Sequence, residues 1–183
     1  MGTIAVIDTE TNWHDRVMSI GCCIAEDGDF RCRDSRYYVL TPEYLAGGMF
    51  SGTLFAEEVP QAITCSRSQA LQELKIWLKG AGVRDLFAYN APFDRRHLPE
   101  LSDFTWHDIL RIAAYQQHNP KIPSWAECCS TGRLKRDYGV EAMLRLLAKN
   151  PGYRESHNGL LDARDELEIM RLLGHPAAAY PPL

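Results

Sequence analysis

The 183-residue sequence predicts a single α/β domain, a mixed β-sheet flanked by helices. Three observations predict it. Strand-type runs crowd the stretch before Pro42, separated only by turns, which is the signature of an antiparallel meander. Beyond Ser66 the period changes, and strand-like runs alternate with helical ones, the order that builds parallel pairs. A hydrophobic share of 45% at this length is enough to bury a core without disulfides.

Thr3 to Asp8 (T-I-A-V-I-D) is a continuous apolar run ending in an acid, the pattern of a central strand buried on both faces. Arg16 to Ala25 (R-V-M-S-I-G-C-C-I-A) reads as the second strand, with Glu26-Asp27-Gly28-Asp29 as its turn. Arg36 to Leu40 makes a third, stopped by Thr41-Pro42. From Glu43 to Ile63, around Gly47-Gly48, no period is legible, and the stretch reads as a long loop or a hairpin. Ser66 and Gln69 form a capping box. Ala70, Leu71, Leu74, Trp77 and Leu78 follow at helical spacing, and Gly80 stops the helix. Asp85 to Asn90 is a fourth strand, and Pro92 stands where a helix can begin. A short strand near Phe104 to Trp106 leads into a helix from about Asp108. Tyr138 to Lys149 and Asn158 to Leu173 are the last two helices.

Lys and Arg number 20 against 24 Asp and Glu, a formal charge of −4. Proteins that grip a long duplex through its phosphates are usually basic. A nucleic-acid partner here is therefore expected to be short or single-stranded, held by few phosphates or partly through bound metal ions. The six cysteines include two adjacent pairs, Cys22-Cys23 and Cys128-Cys129, and no C-x-x-C, so reduced, structural thiols are expected. No apolar run approaches a membrane span, and Met1-Gly2-Thr3-Ile4 enters a strand at once. The expectation is a cytoplasmic chain with no membrane partner.

Asp8 and Glu10 close the first strand. Residues two apart on a strand point to one side, so both carboxylates face one spot while Thr9 faces away. Two acids there repel each other unless a cation lies between them, and oxygen-only ligands favour Mg²⁺ or Mn²⁺ over zinc. Taken alone, D-x-E is common at solvated strand ends. Asp94, after the fourth strand, is by itself an ordinary first-turn acid facing a helix dipole. His157 and Asp162 open the last helix, and five residues turn about 140° around a helix. The two share no face if both are helical, but a helix beginning near Asn158 leaves His157 on the loop, free to turn towards the site.

The combination says more than its parts. D-x-E ending the first strand, N-x-x-F-D (Asn90 to Asp94) after a later one, and H-x-x-x-x-D (His157 to Asp162) at the last helix resemble the motifs of the DEDDh branch of the DEDD exonuclease superfamily. V-I-D-T-E-T followed by R-V-M-S-I-G is similar to that family's first two strands, H-N-G-L-L-D-A-R-D-E-L to its third motif, and Asp108-Ile109-Leu110 to its D-T-L segment. The resemblance runs from Ile4 to about Leu173. It implies an exonuclease domain over residues 1–175, with 176–183 as a short C-terminal tail, and a ribonuclease-H-like fold. Tyr89 stands where many relatives have His, the loop from Glu10 to Arg16 is short, and residues 43–63 match nothing in the family pattern.

The resemblance further implies 3′→5′ hydrolysis at the end of single-stranded DNA or RNA, releasing nucleoside 5′-monophosphates. Two Mg²⁺ or Mn²⁺ ions would be held by Asp8, Glu10, Asp94 and Asp162, with Asp8 as the bridge. His157 would be the general base. Thr9, Thr11, Trp13, Asn90 and Phe93, interleaved in the same motifs, are the expected substrate contacts. Trp13 either stacks on a terminal base or closes the core over the first strand. Arg95, Arg96, Arg133, Lys135, Arg136 and Arg164 are candidate phosphate contacts, each also readable as a solvated helix charge. Two other readings stay open: a non-catalytic nucleic-acid-binding module of the same fold, and a small-molecule phosphoesterase.

Overall fold

Ile4 and Val6 point to one side of the first strand and Ala5 and Ile7 to the other, and each pair is buried in a different apolar cluster. This burial on both faces makes β1 (Thr3–Thr11) a central strand in the computed structural model, which describes residues 2–59 and 62–183. β2 (Val17–Glu26) and β3 (Cys32–Leu40) continue antiparallel from it, and β4 (Ile63–Cys65) borders β3 in parallel. On the other side of β1 lie β5 (Asp85–Ala88) and β6 (Thr105–Asp108), both parallel. Among the described residues the order is β4-β3-β2-β1-β5-β6, a mixed six-stranded sheet.

α1 (Arg67–Gly80) covers one face through Ala70, Leu71, Leu74 and Leu78, packed with Ile7, Ile20, Tyr38 and Leu86. Both arms of its expected capping box are present. Gly80 is its last residue, and the turn away from it falls at Gly82, φ 76°. The short α2 (Ala91–His97) follows β5, and α3 (Leu110–Ala113) is a single turn after β6. α4 (Val140–Leu147) and α5 (Gly159–Leu173) cover the opposite face with Val6, Met18, Val39 and Phe87.

Several expectations are corrected. β3 begins at Cys32, earlier than Arg36, because its first residues are exposed and carry no apolar signal. Of the stretch read as loop or hairpin, the part up to Val59 holds two 3-10 turns, Glu43–Ala46 and Ser51–Thr53, and Ile63 already belongs to β4. Residues 60 and 61 of that stretch lie outside the described residues. β5 stops at Ala88, since Asn90 takes a left-handed φ of 64°. Asp108 ends a strand, so the expected helix from that residue shrinks to α3.

One close approach sets the site. A Cβ on Gly21 would lie 2.1 Å from the carbonyl carbon of Gly159, so only glycine lets the start of α5 rest on β2. Gly21 pairs with Asp8 across β1 and β2, and α5 therefore begins directly over Asp8. Residues 176–183, the expected tail, lie along β6: Tyr180 is buried, Pro182 bridges His107, and Leu183 N–H donates to Trp106 at 2.9 Å. All six cysteines are free, and no described helix is long and apolar enough to cross a membrane.

Candidate active site

Three chain segments end at the same place. β1 delivers Asp8 and Glu10 on the α5 face, and α5 delivers Asp162 from its first turn. β5 lies parallel beside β1, so α2, which starts just past its end, delivers Asp94, buried. α2 has no side-chain cap of its own. Asp108 supplies the acceptor instead: its Oδ1 takes the amides of Asn90, Ala91 and Leu110 at 3.0, 3.4 and 3.1 Å. Thr9 lies on the opposite face from Asp8 and Glu10, yet its hydroxyl donates to Asp94 Oδ1 at 2.7 Å. From that face the Thr9 hydroxyl orients the Asp94 carboxylate, a contact the alternation of β1 did not reveal.

The acids crowd one another. Burial, with the charges of Asp94, Asp162 and Glu10, holds the Asp8 carboxyl well above the ordinary carboxylate range. Burial followed by Asp162 pushes Glu10 up to about 8. Burial carries Asp94 to about 7 against the pull of the Thr9 hydroxyl, and burial with Glu155 carries Asp162 to about 7. Asp8 is half-buried as a residue, but its Oδ2 is sealed and has no hydrogen-bond partner among the described residues. A sealed anionic oxygen without a donor, among acids of raised pKa, is an arrangement that fits a divalent cation.

His157 sits on the loop before Asn158, which caps α5 by accepting from the amides of Leu160 and Leu161 at 3.1 and 3.4 Å. A backbone φ of 54° turns His157 out of the helical path. Its ring stacks on Phe50, with centroids 3.9 Å apart and planes at 16°. Thr53 donates its hydroxyl to the His157 carbonyl, and Asn158 Nδ2 donates to the Thr53 carbonyl at 2.8 Å. A ring nitrogen of His157 and carboxylate oxygens of Glu10 and Asp162 all lie within 4.8 Å of one another.

Beside the acids opens a cavity of about 300 Å³, lined by Thr11, Trp13, Met49, Phe50 and Phe93 along with Thr9 and Glu10. Trp13 is 66% exposed, so the reading in which it closes the core over the first strand is overturned. Asn90 is exposed at the turn into α2 and is absent from that lining.

No protein-family model matches the sequence, and no curated protein matches it. Solved structures do. The nuclease domain of 3'hExo, a DEDDh family member bound to rAMP, superposes with a TM-score of 0.62 at 17% identity, over 92% of this chain and 90% of that one. E. coli Exonuclease I in complex with a dA16 oligonucleotide gives 0.62 at 13% identity, over 98% of this chain and 42% of that one. A 3′-exonuclease described for 3′-end-specific recognition of a histone mRNA stem-loop gives 0.62 at 16%, over 99% and 70%. The chain has the ribonuclease-H-like fold of the DEDDh exonucleases.

Around this DEDDh fold, sequence reasoning missed several neighbours of the acids. Glu166 is buried and accepts the Tyr89 amide at 3.0 Å; burial with Asp8 and Asp94 drives its carboxyl well up. Its signal was present, since four residues after Asp162 is the same helical face. Glu155, raised by burial, and Ser156, which donates to Asp162 Oδ1 at 3.2 Å, sit in an irregular loop without a period. Phe50 and Thr53 had no sequence signal at all. Among the basic candidates, Arg136 pairs with Glu127 at 3.2 Å and Arg133 lies over the Tyr138 ring at 4.7 Å. Arg164 donates to Ser35 at 3.3 Å. A separate cavity of about 550 Å³, beside Trp125 and Met143, shares no lining residue with the acids.

Proposed function

We propose that this chain is a divalent-metal-dependent 3′→5′ exonuclease that removes nucleoside 5′-monophosphates from single-stranded or short nucleic acid, DNA or RNA. The observation that carries the reading is the cluster of Asp8, Glu10, Asp94 and Asp162, with an unpartnered Asp8 oxygen at its centre and an imidazole at its edge. The all-oxygen donor set fits two Mg²⁺ or Mn²⁺ ions, which Asp8, Glu10, Asp94 and Asp162 would hold. Bound there, such ions would supply the Lewis acidity that makes water nucleophilic at neutral pH and would offset charge on the leaving 3′ oxygen.

The protein's own groups do the rest. A ring nitrogen of His157, within 4.8 Å of carboxylate oxygens of Glu10 and Asp162, takes the proton from the attacking water. Phe50 and Thr53 fix the plane and the backbone of that histidine. The Thr9 hydroxyl keeps the Asp94 carboxylate oriented among the acids that would hold the ions. Trp13, Phe50 and Phe93 offer apolar surface to the terminal base, an interaction tolerant of base identity. Thr11, beside them, is the polar neighbour for the sugar.

The test is to incubate the protein with Mg²⁺ or Mn²⁺ and 5′-labelled single-stranded DNA and RNA. A ladder shortening from the 3′ end, with mononucleotide products and abolished by chelation, is expected. Strand binding without mononucleotide release would identify a non-catalytic module, and turnover of a simple phosphomonoester instead would identify a phosphoesterase.

A further inference from the structure

Two arginines of α2, both among the candidate phosphate contacts, converge with one of α3 on a recess that shares no residue with the acids. Arg95 and Arg96 directly follow Asp94, and the helix that buries Asp94 leaves both of them exposed. With Arg111, Pro92 and Leu183 they line a cavity of about 410 Å³. Carboxylates compete weakly for these cations. Arg111 Nε is 3.9 Å from Asp108 Oδ2, whose partner oxygen is already committed to backbone amides, and Arg96 reaches the exposed Asp15 at 3.6 Å. Arg95 has no ion pair among the described residues.

In a chain of formal charge −4, three guanidinium groups around one recess form a local well for anions. A guanidinium presents a planar fork that matches phosphate oxygens. The recess also adjoins the nucleotide cavity. Phe93 lines that cavity and carries the Arg96 guanidinium 5.7 Å above its ring, while its neighbour Pro92 lines the recess.

We propose that this recess is a backbone subsite, taking phosphodiesters of the single strand upstream of the bond being cut and making affinity depend on strand length. The inference rests on the exonuclease reading of the neighbouring site. A free phosphate offers the same chemistry, and the experiment separates the two sources.

The test uses an Arg95→Gln/Arg111→Gln double variant of the full chain, with its melting temperature checked against wild type. Fluorescence anisotropy of labelled oligothymidylates, a dinucleotide and a dodecanucleotide, is followed through a salt titration, with Ca²⁺ suppressing turnover. For the dodecanucleotide, the slope of log Kd against log salt should shrink by about 0.7 for each phosphate the variant no longer neutralises, about 1.4 for two. The reduction for the dinucleotide should be clearly smaller. An unchanged slope, or an equal reduction at both lengths, overturns the proposal. So does a variant that binds inorganic phosphate more weakly while keeping the wild-type slope on the dodecanucleotide, which would assign the recess to a small ligand. A wild type that binds neither oligonucleotide takes the exonuclease reading down as well; one that degrades strands with the variant's own slope defeats the subsite alone.

Discussion

Phe50 and His157 are 107 residues apart in numbering yet stacked ring on ring, and the two should fail differently when altered. His157→Ala removes the proton acceptor and should lower kcat by roughly 10²–10⁴-fold while Mn²⁺ affinity persists. Phe50→Leu keeps an apolar side chain but releases the imidazole plane, and should lower kcat by roughly 10–100-fold, with activity regained in Phe50→Tyr. Steady-state kinetics on one labelled oligonucleotide checks both, and equal activity of Phe50→Leu and wild type would strip the stack of any role. Asp8→Ala should abolish hydrolysis without lowering the melting temperature of the metal-free protein, because it removes a crowded carboxyl whose sealed Oδ2 has no hydrogen-bond partner among the described residues. A thermal scan with and without Mn²⁺ would show the ion's stabilisation shrinking in that variant. At this scale the sequence was legible where residues sit inside compact motifs: Glu10, His157 and Asp162 meet within 4.8 Å, and Asp8 feels the charges of Asp94, Asp162 and Glu10. Phe50 and Thr53 were hidden because what holds them is contact with His157 and Asn158, which leaves no period in their own segment.

Elements with a strong period were legible as well. The five apolar positions of α1 and its capping box, and the unbroken apolar run of β1, needed only local physics. The first residues of β3 and the three residues of β4 did not show, since each is held by the strand it pairs with, and the single turn of α3 is too short to carry a period. The packing of α5 on β2 belongs to the same scale and gives a sharp expectation. In Gly21→Ala the new methyl meets backbone atoms of Gly159 and Leu160 about 2.2 Å away, atoms that cannot swing aside. The start of α5 must lift off β2, at a cost of roughly 1–3 kcal/mol or more. Because α5 carries Asp162, melting temperature and Mn²⁺ affinity should drop together. A variant that lost stability but bound the ion as wild type would show that the lift does not reach Asp162.

The whole molecule feels the acids through pH. Asp94 and Asp162, at about 7, and Glu10, at about 8, hold protons in the folded state that the unfolded chain gives up near its ordinary carboxylate values of about 4. The native state then binds more protons than the unfolded one between about pH 4 and pH 8, so the metal-free protein loses stability as pH rises through that window. With chelator present, the melting temperature should fall from pH 5 to pH 8. With saturating Mg²⁺ the fall should flatten, because a cation then occupies the place of the protons. A metal-free curve that rises over the same range would contradict the raised carboxyls.

The crowding of those carboxyls also makes ion uptake an acid-releasing event. Each Mg²⁺ or Mn²⁺ that settles among Asp8, Glu10, Asp94 and Asp162 must evict whatever protons they carry near neutral pH. Titrating the protein with Mn²⁺ at neutral pH in two buffers of different ionisation enthalpy should therefore give different observed heats, and their difference counts the protons expelled. Identical heats would mean that the acids were already bare. Where the count is above zero, the site is a competition between two kinds of cation for one set of oxygens, and acidity alone can empty it of metal while the fold stays as it is.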